Sequence, residues 1–204
     1  MQQILHSLHY LPCIAYFCAW AQSDKVMIDT SEPYQKQSYR NRTQILTSQG
    51  VLDLIVPIRG NKKTEEENNA VSIDYSQKWV DLHIRSIQTA YGKAPFFTYF
   101  FEEFVEIYQR KIPFLTDFNT TLLTLCRKIL QLPQEVEIIQ NGRQDLENVE
   151  IIDYRQDIHP KKIIPKHLTD SLKPYTQVFG KSFVPNMSIL DLIFCEGINA
   201  KKYF

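Results

Sequence analysis

The stretch QILHSLHYLPCIAYFCAWAQSDKVMID, residues 3–29, decides how this chain is read. Two readings compete for its apolar middle. One is a secretory leader, because the run ends in Ala19-Trp20-Ala21, an A-x-A cleavage pattern. A leader needs positive charge ahead of its apolar core, yet the first basic residue is Lys25, beyond the supposed cleavage position. The other reading accounts for more of the pattern. Gln3-Ile4-Leu5 is a short β-prone run, and His6 to Pro12 is a loop. Ile14, Phe17, Cys18 and Ala21 then recur at helical spacing, and the helix ends near Ser23-Asp24. Lys25 to Ile28 is apolar and β-prone, a second strand. Strand, helix and strand in under thirty residues make a βαβ unit, which requires parallel pairing and an α/β sheet. Ligands of such sheets gather outside the carboxyl ends of the strands, where His6, His9 and Asp29 fall.

The rest of the composition agrees with a packed, cytoplasmic protein. A length of 204 residues suits one domain, 1–204, and 44% hydrophobic with 12% aromatic content can fill its core. Twenty-three basic residues balance 23 acidic ones, which argues against a general nucleic-acid surface or a polybasic membrane anchor. No segment reaches the ~20 apolar residues of a membrane span. Cys13, Cys18, Cys126 and Cys195 show no C-x-x-C pairing and read as reduced, partly buried thiols.

Beyond the βαβ unit, Tyr39–Thr47 and Val51–Pro57 flank Ser48-Gln49-Gly50 and predict an antiparallel hairpin. The polar run from Arg59 to Ala70 predicts an exposed loop. Three amphipathic helices follow. The first carries Trp79, His83 and Ile87 after a possible Ser76 cap, the second opens at Pro95, and the third starts at Asp117 or Asn119 and stops at Pro133. Glu135–Gln140 and Val149–Asp153 predict strands around Asn141-Gly142, and Ser188–Cys195 a last helix closed by Gly197. The expected architecture is therefore α/β, with an N-terminal βαβ unit, a mixed sheet, an antiparallel hairpin and a block of three amphipathic helices.

Residues 34–42, YQKQSYRNR, carry the strongest local chemistry. If extended, they place Lys36, Ser38, Arg40 and Arg42 on one face. Three adjacent cations repel one another, and a phosphate or carboxylate would relieve that cost, with arginine able to bind it in a bidentate way. Pairing with Glu65-Glu66-Glu67 is the equally weighted alternative. His6 and His9 form an H-x-x-H spacing near a helix start. One of them suits a general base or a substrate hydrogen bond, with Asp29 or Glu32 orienting it or an acceptor amine or hydroxyl. A metal would need a third ligand, for which only Asp29 or His159 is available, and none is assigned. His83, beside aromatics on a helix, needs a polar partner. No motif names a cofactor, which stays unknown, and no Walker, Rossmann or G-x-S-x-G pattern occurs.

Several segments in order resemble the WbqC-like protein family: Tyr10-Leu11-Pro12, Tyr34 through Arg42, Leu54-x-Val56-Pro57-Ile58 and Ile73-Asp74-x-Ser76-x-x-Trp79-x-x-x-His83. Ala90-Tyr91-x-x-Ala94-Pro95-Phe96-Phe97, Phe114-Leu115-x-Asp117-Phe118-Asn119 and Phe183-x-Pro185-Asn186-x-Ser188-Ile189-x-Asp191 continue the match. The resemblance implies a bacterial protein associated with O-antigen-like surface-polysaccharide synthesis, in a shorter branch of the Bacteroidetes type. The pathway, together with strand ends, a helix start and cations converging in one short segment, leads to the expectation of a transferase acting on an activated or phosphorylated intermediate, with a small anionic molecule as partner. The alternative is a non-catalytic member that binds glycan or protein, for which Phe96, Phe97 and Tyr99 would be exposed aromatics. Tyr10, Tyr39, Asn41, His83 and Asn186 enter as substrate-binding candidates because they stand in the family's motifs. Ser7, Leu8 and His9 depart from the family's opening, and Asp29-Thr30 from its acidic pair.

Overall fold

The computed structural model describes residues 2–59, 71–140 and 150–204. The chain follows the expected α/β class. β1 (Gln3–Ser7), α1 (Ile14–Ala21) and β2 (Lys25–Asp29) form the βαβ unit, with Gln3 opposite Lys25 and Ser7 opposite Asp29 in parallel register. β1 runs two residues further than the sequence suggests, so His6 is a strand residue and not a loop residue. β3 (Arg42–Thr47) and β4 (Gly50–Ile55) make the hairpin, where Gly50 takes φ +100° after the two-residue turn. This hairpin forms its own two-stranded sheet instead of joining the parallel one.

α2 (Trp79–Tyr91), α3 (Phe97–Gln109) and α4 (Leu115–Leu130) are the helical block. Each buries one stripe, Trp79, His83 and Ile87 on α2 and Phe101, Phe104 and Tyr108 on α3, as an apolar face recurring every three or four residues must. Ser76 does not cap α2; its N–H donates to Asp74 Oδ1 in the preceding turn. Of the three aromatics expected at the surface, Phe97 is buried, Phe96 half-buried and only Tyr99 exposed.

β5 (Glu135–Ile139) and β6 (Ile151–Asp153) both join the first sheet in parallel, but on opposite sides, giving the order β5-β2-β1-β6. The Asn141-Gly142 turn, the Arg59–Ala70 loop beyond Arg59 and Glu65–Glu67 lie outside the described residues. α5 (Lys166–Asp170) and α6 (Ile189–Glu196) follow, and a 3₁₀ helix, Gly197–Tyr203, ends the chain. Seven of eight α6 residues are buried, six of them apolar, so this helix sits inside the core against α1, α3 and α4, and its buried Asp191 accepts from Tyr175 Oη and Gln177 Nε2. The A-x-A pattern is part of that core: Ala19 and Trp20 are 2% and 0% exposed. Cys13, Cys18, Cys126 and Cys195 are buried free thiols. Among the described residues no helix is long and apolar enough to cross a membrane.

The first turn of α1 has no cap from its own residues; instead the Ala15 N–H donates to Asn186 Oδ1 at 2.8 Å. Asn186 holds φ +58°, a region that asparagine tolerates and alanine does not. Asn186→Ala is expected to lose about 2 kcal/mol, cap and strain together, and Asn186→Gly about half of that, because glycine removes only the cap. Urea denaturation of the two variants checks the ordering.

Candidate functional site

In a parallel sheet the crevice for a ligand forms where the strand order reverses. Here β1, β2 and β5 proceed in one direction and β6 returns to the other side of β1, so the reversal lies between β1 and β6. The carboxyl ends of these strands carry His6 and Ser7 (β1), Asp29 (β2) and Asp153 (β6), followed by Tyr154 and Arg155. The backbone fixes the last three: the Tyr154 N–H donates to Leu5 O at 2.9 Å.

Arg155 closes this end of the sheet. Its Nε and Nη2 donate to the two Asp153 oxygens at 3.0 and 2.7 Å, a fork-to-fork pair, while Nη1 reaches Asp29 Oδ2 at 2.6 Å. Ser31 adds its N–H and hydroxyl to Asp29 Oδ1. Arg40 makes a second cluster: Nη2 meets Glu32 Oε2 at 2.6 Å, Nη1 donates to the Glu32 and Pro33 carbonyls, and the Ser7 hydroxyl donates to the same Glu32 oxygen. Burial lowers the Arg40 pKa, with Glu32 and Asp29 opposing that effect. Hydrogen bonding to Asp153 raises that of Arg155.

Between and beneath these pairs lie imidazoles. His6, 0% exposed, stacks on Tyr16 with centroids 3.9 Å apart, and Tyr154 lies on its other side at 5.6 Å. His9, 4% exposed, is tilted between Tyr16 and Tyr39. Neither His6 ring nitrogen finds a partner among the described residues, nor do His9 Nδ1 and His159 Nε2. Desolvation lowers the His6 pKa to about 3, against the pull of the Asp153 carboxylate. The same desolvation takes His9 well below its ordinary value, helped by His6, Arg40 and His159, which are close enough to act on it. Both rings are neutral at physiological pH, so each offers one donor and one acceptor.

Of the residues singled out by sequence, His6, His9, Asp29, Glu32 and Arg40 come together here, and Tyr39 packs against His9. The cationic strip does not form as an extended face. Residues 36–41 are a succession of turns and bends, with Gln37 at φ +58°, so the period-two alignment is absent. Arg42 turns to Asp53 across the hairpin at 3.4 Å, and Lys36 is exposed. The carboxylates that neutralise the arginines are thus Glu32 and Asp53. Asn41 braces the hairpin, its Nδ2 donating to Val56 O at 2.9 Å. Tyr10 and His83 form a separate buried group: Tyr10 Oη meets His83 Nδ1 at 2.9 Å and also contacts Tyr108 Oη. Asn186 serves α1 as described.

Sequence reasoning missed Ser7, Asp153, Tyr154 and Arg155, and left His159 as a distant loop residue. One signal was present. Met27-Ile28-Asp29 and Ile151-Ile152-Asp153 are the same pattern, two apolar residues and an aspartate ending a strand. Among the described residues no group of three or more His, Cys, Asp or Glu side chains is arranged to hold a metal ion.

Together these describe an α/β protein whose neutral histidines and carboxylate-paired arginines meet where its parallel sheet reverses. The chain belongs to the WbqC-like protein family, whose model matches residues 8–172 and 161–203. His9, Asp29, Arg40 and Arg155 fall within the first match, and His6 stands two positions before it. The chain is also similar to the uncharacterized protein Rv1507c of Mycobacterium tuberculosis, 25% identical over 224 residues, which cover 96% of this chain and 94% of that one. No solved structure matches.

Proposed function

We propose that the crevice between β1 and β6 is the active site of a cytoplasmic transferase acting on an activated or phosphorylated intermediate of bacterial surface polysaccharide. The observation that carries this reading is a pair of buried, neutral imidazoles near the carboxyl ends of the strands, with both nitrogens of His6 and Nδ1 of His9 unpartnered among the described residues. A buried polar nitrogen without a partner costs about 1–3 kcal/mol, and a site that binds something there recovers it. His6, held neutral by burial despite the pull of Asp153, hydrogen-bonds the reacting hydroxyl of the substrate. His9 hydrogen-bonds the substrate. Asp29 and Arg155 hold the floor of the site, and Arg40 with Glu32 holds its side.

The anionic part of the substrate sits at the rim. Lys161 Nζ donates to Gln37 Oε1, which brings the turn bearing Lys36 beside the segment bearing Lys161 and Lys162. Isothermal titration with nucleotide-sugars tests the reading. Saturable binding is expected, weakened at least tenfold by Lys36→Ala combined with Lys161→Ala. Absence of heat with every nucleotide-sugar and with phosphate counts against it. The second reading, binding without turnover, rests on one observation: Arg40 and Arg155 are both committed to carboxylates. Mass-spectrometric search for transferred product with a bound nucleotide-sugar separates the two.

A further inference from the structure

We infer that the interior of this crevice takes an uncharged, hydroxyl-bearing group, and that anions are confined to its rim. The inference rests on the reading of the crevice as a substrate site and names the chemistry of its inner half. Three observations carry it. The first is the state of the imidazoles. Both His6 nitrogens are buried and without a partner among the described residues, and a neutral ring presents one N–H and one lone pair. A hydroxyl can accept from the first and donate to the second. A carboxylate or a phosphodiester can only accept, and would leave a buried lone pair unmet.

The second is charge. Asp29, Glu32 and Asp153 face two guanidiniums, those of Arg40 and Arg155, whose forks are already filled by these carboxylates and by backbone carbonyls. An incoming anion would meet these carboxylates and, among the described residues here, no guanidinium left free for it. Hydroxyls, by contrast, can donate to carboxylate oxygens that arginine leaves open. The third is the wall. Tyr16, Tyr39 and Tyr154 surround the two imidazoles with ring faces and edges, which suit the C–H face of a polyol ring and give a bare phosphate nothing to pack on. Tyr154 lies against His6, and Lys161 Nζ donates to Gln37 Oε1, which joins the segment after Tyr154 to the turn bearing Lys36.

The test uses the protein labelled with nitrogen-15 at its five histidines. Ring signals are followed while myo-inositol or methyl glucoside is added, and separately dimethyl phosphate. The polyols are expected to shift His6 and His9 saturably and to leave His83 unmoved; dimethyl phosphate is expected to reach His159 alone. His6→Phe, which keeps a ring between Tyr16 and Tyr154, is expected to weaken the His9 response at least tenfold. If that variant does not fold, the wild-type titrations decide alone. Dimethyl phosphate moving His6 and His9 while polyols do not overturns the inference and leaves the transferase reading standing. If neither moves them, the unpartnered nitrogens are met by water, and both readings of the crevice fail.

Discussion

Lowering the pH from 7 to 5 is expected to remove about 4 kcal/mol of folding stability through His6 and His83, with His9 adding to the loss, a large part of what a domain of this size possesses. The cause is three histidines buried without charge. The folded-state pKa is about 3 for His6 and about 4 for His83, and that of His9 lies well below its ordinary 6.5. In the unfolded chain all three take protons as the pH falls through 6.5, while the folded chain does not. Stability is therefore complete above pH 6.5 and is lost progressively from there down to about 3. At pH 5 His6 and His83 each account for ~2 kcal/mol, and His9 acts in the same direction. Urea denaturation at pH 7, 6 and 5 measures the slope, and His6→Phe should flatten it, since one of the three groups is gone. A stability that stays level across this range would mean that the imidazoles are solvated in the folded protein, and would remove the basis for the crevice as described.

The same histidines show where a sequence stops being informative. The βαβ unit was legible because its signals are local: apolar alternation, helical spacing, and a charged turn at Asp24-Lys25. The helical block was legible for the same reason. Strand order was not. Glu135–Ile139 and Ile151–Asp153 are near neighbours in the chain, yet they pair with β2 and β1 at opposite edges of the sheet. Nothing in either segment says which edge it will take. The cationic strip failed for a different reason. Period two was a fair reading of residues 34–42 in isolation, but Gln37 turns the chain and Glu32 and Asp53 supply the counter-charges, so the repulsion that motivated an anion is already met. His83 shows the reverse. Its need for a partner was legible, whereas the partner, Tyr10, stands 73 residues away and only the tertiary structure brings it near.

Arg155→Met is expected to destabilise the protein by about 3 kcal/mol, the usual cost of removing one member of a buried ion pair. The Asp29 side chain is 2% exposed and that of Arg155 only 15%, so truncation leaves a carboxylate almost out of reach of water. Ser31 still donates two hydrogen bonds to Asp29 Oδ1, which keeps the loss below the upper end of the range. A double-mutant cycle makes the argument exact in its terms. Asp29→Asn in the Arg155→Met background removes the stranded charge and should recover 1–2 kcal/mol, approximately, whereas Asp29→Asn alone should be destabilising. If Arg155→Met proves neutral, Arg155 does not tie the carboxyl ends of β2 and β6 together. The expected pattern would instead place the energetic link across the sheet at its point of reversal. The guanidinium bridges the outer ends of β2 and β6 across the end of β1, the strand that carries His6. Loss of that bridge frees the segment bearing Tyr154 and His159, so the variant should also expose the His6 ring. Faster carbethoxylation of His6 by diethyl pyrocarbonate in Arg155→Met than in the parent measures this. Equal rates would show that the stability of the bridge and the closure of the crevice are separate properties.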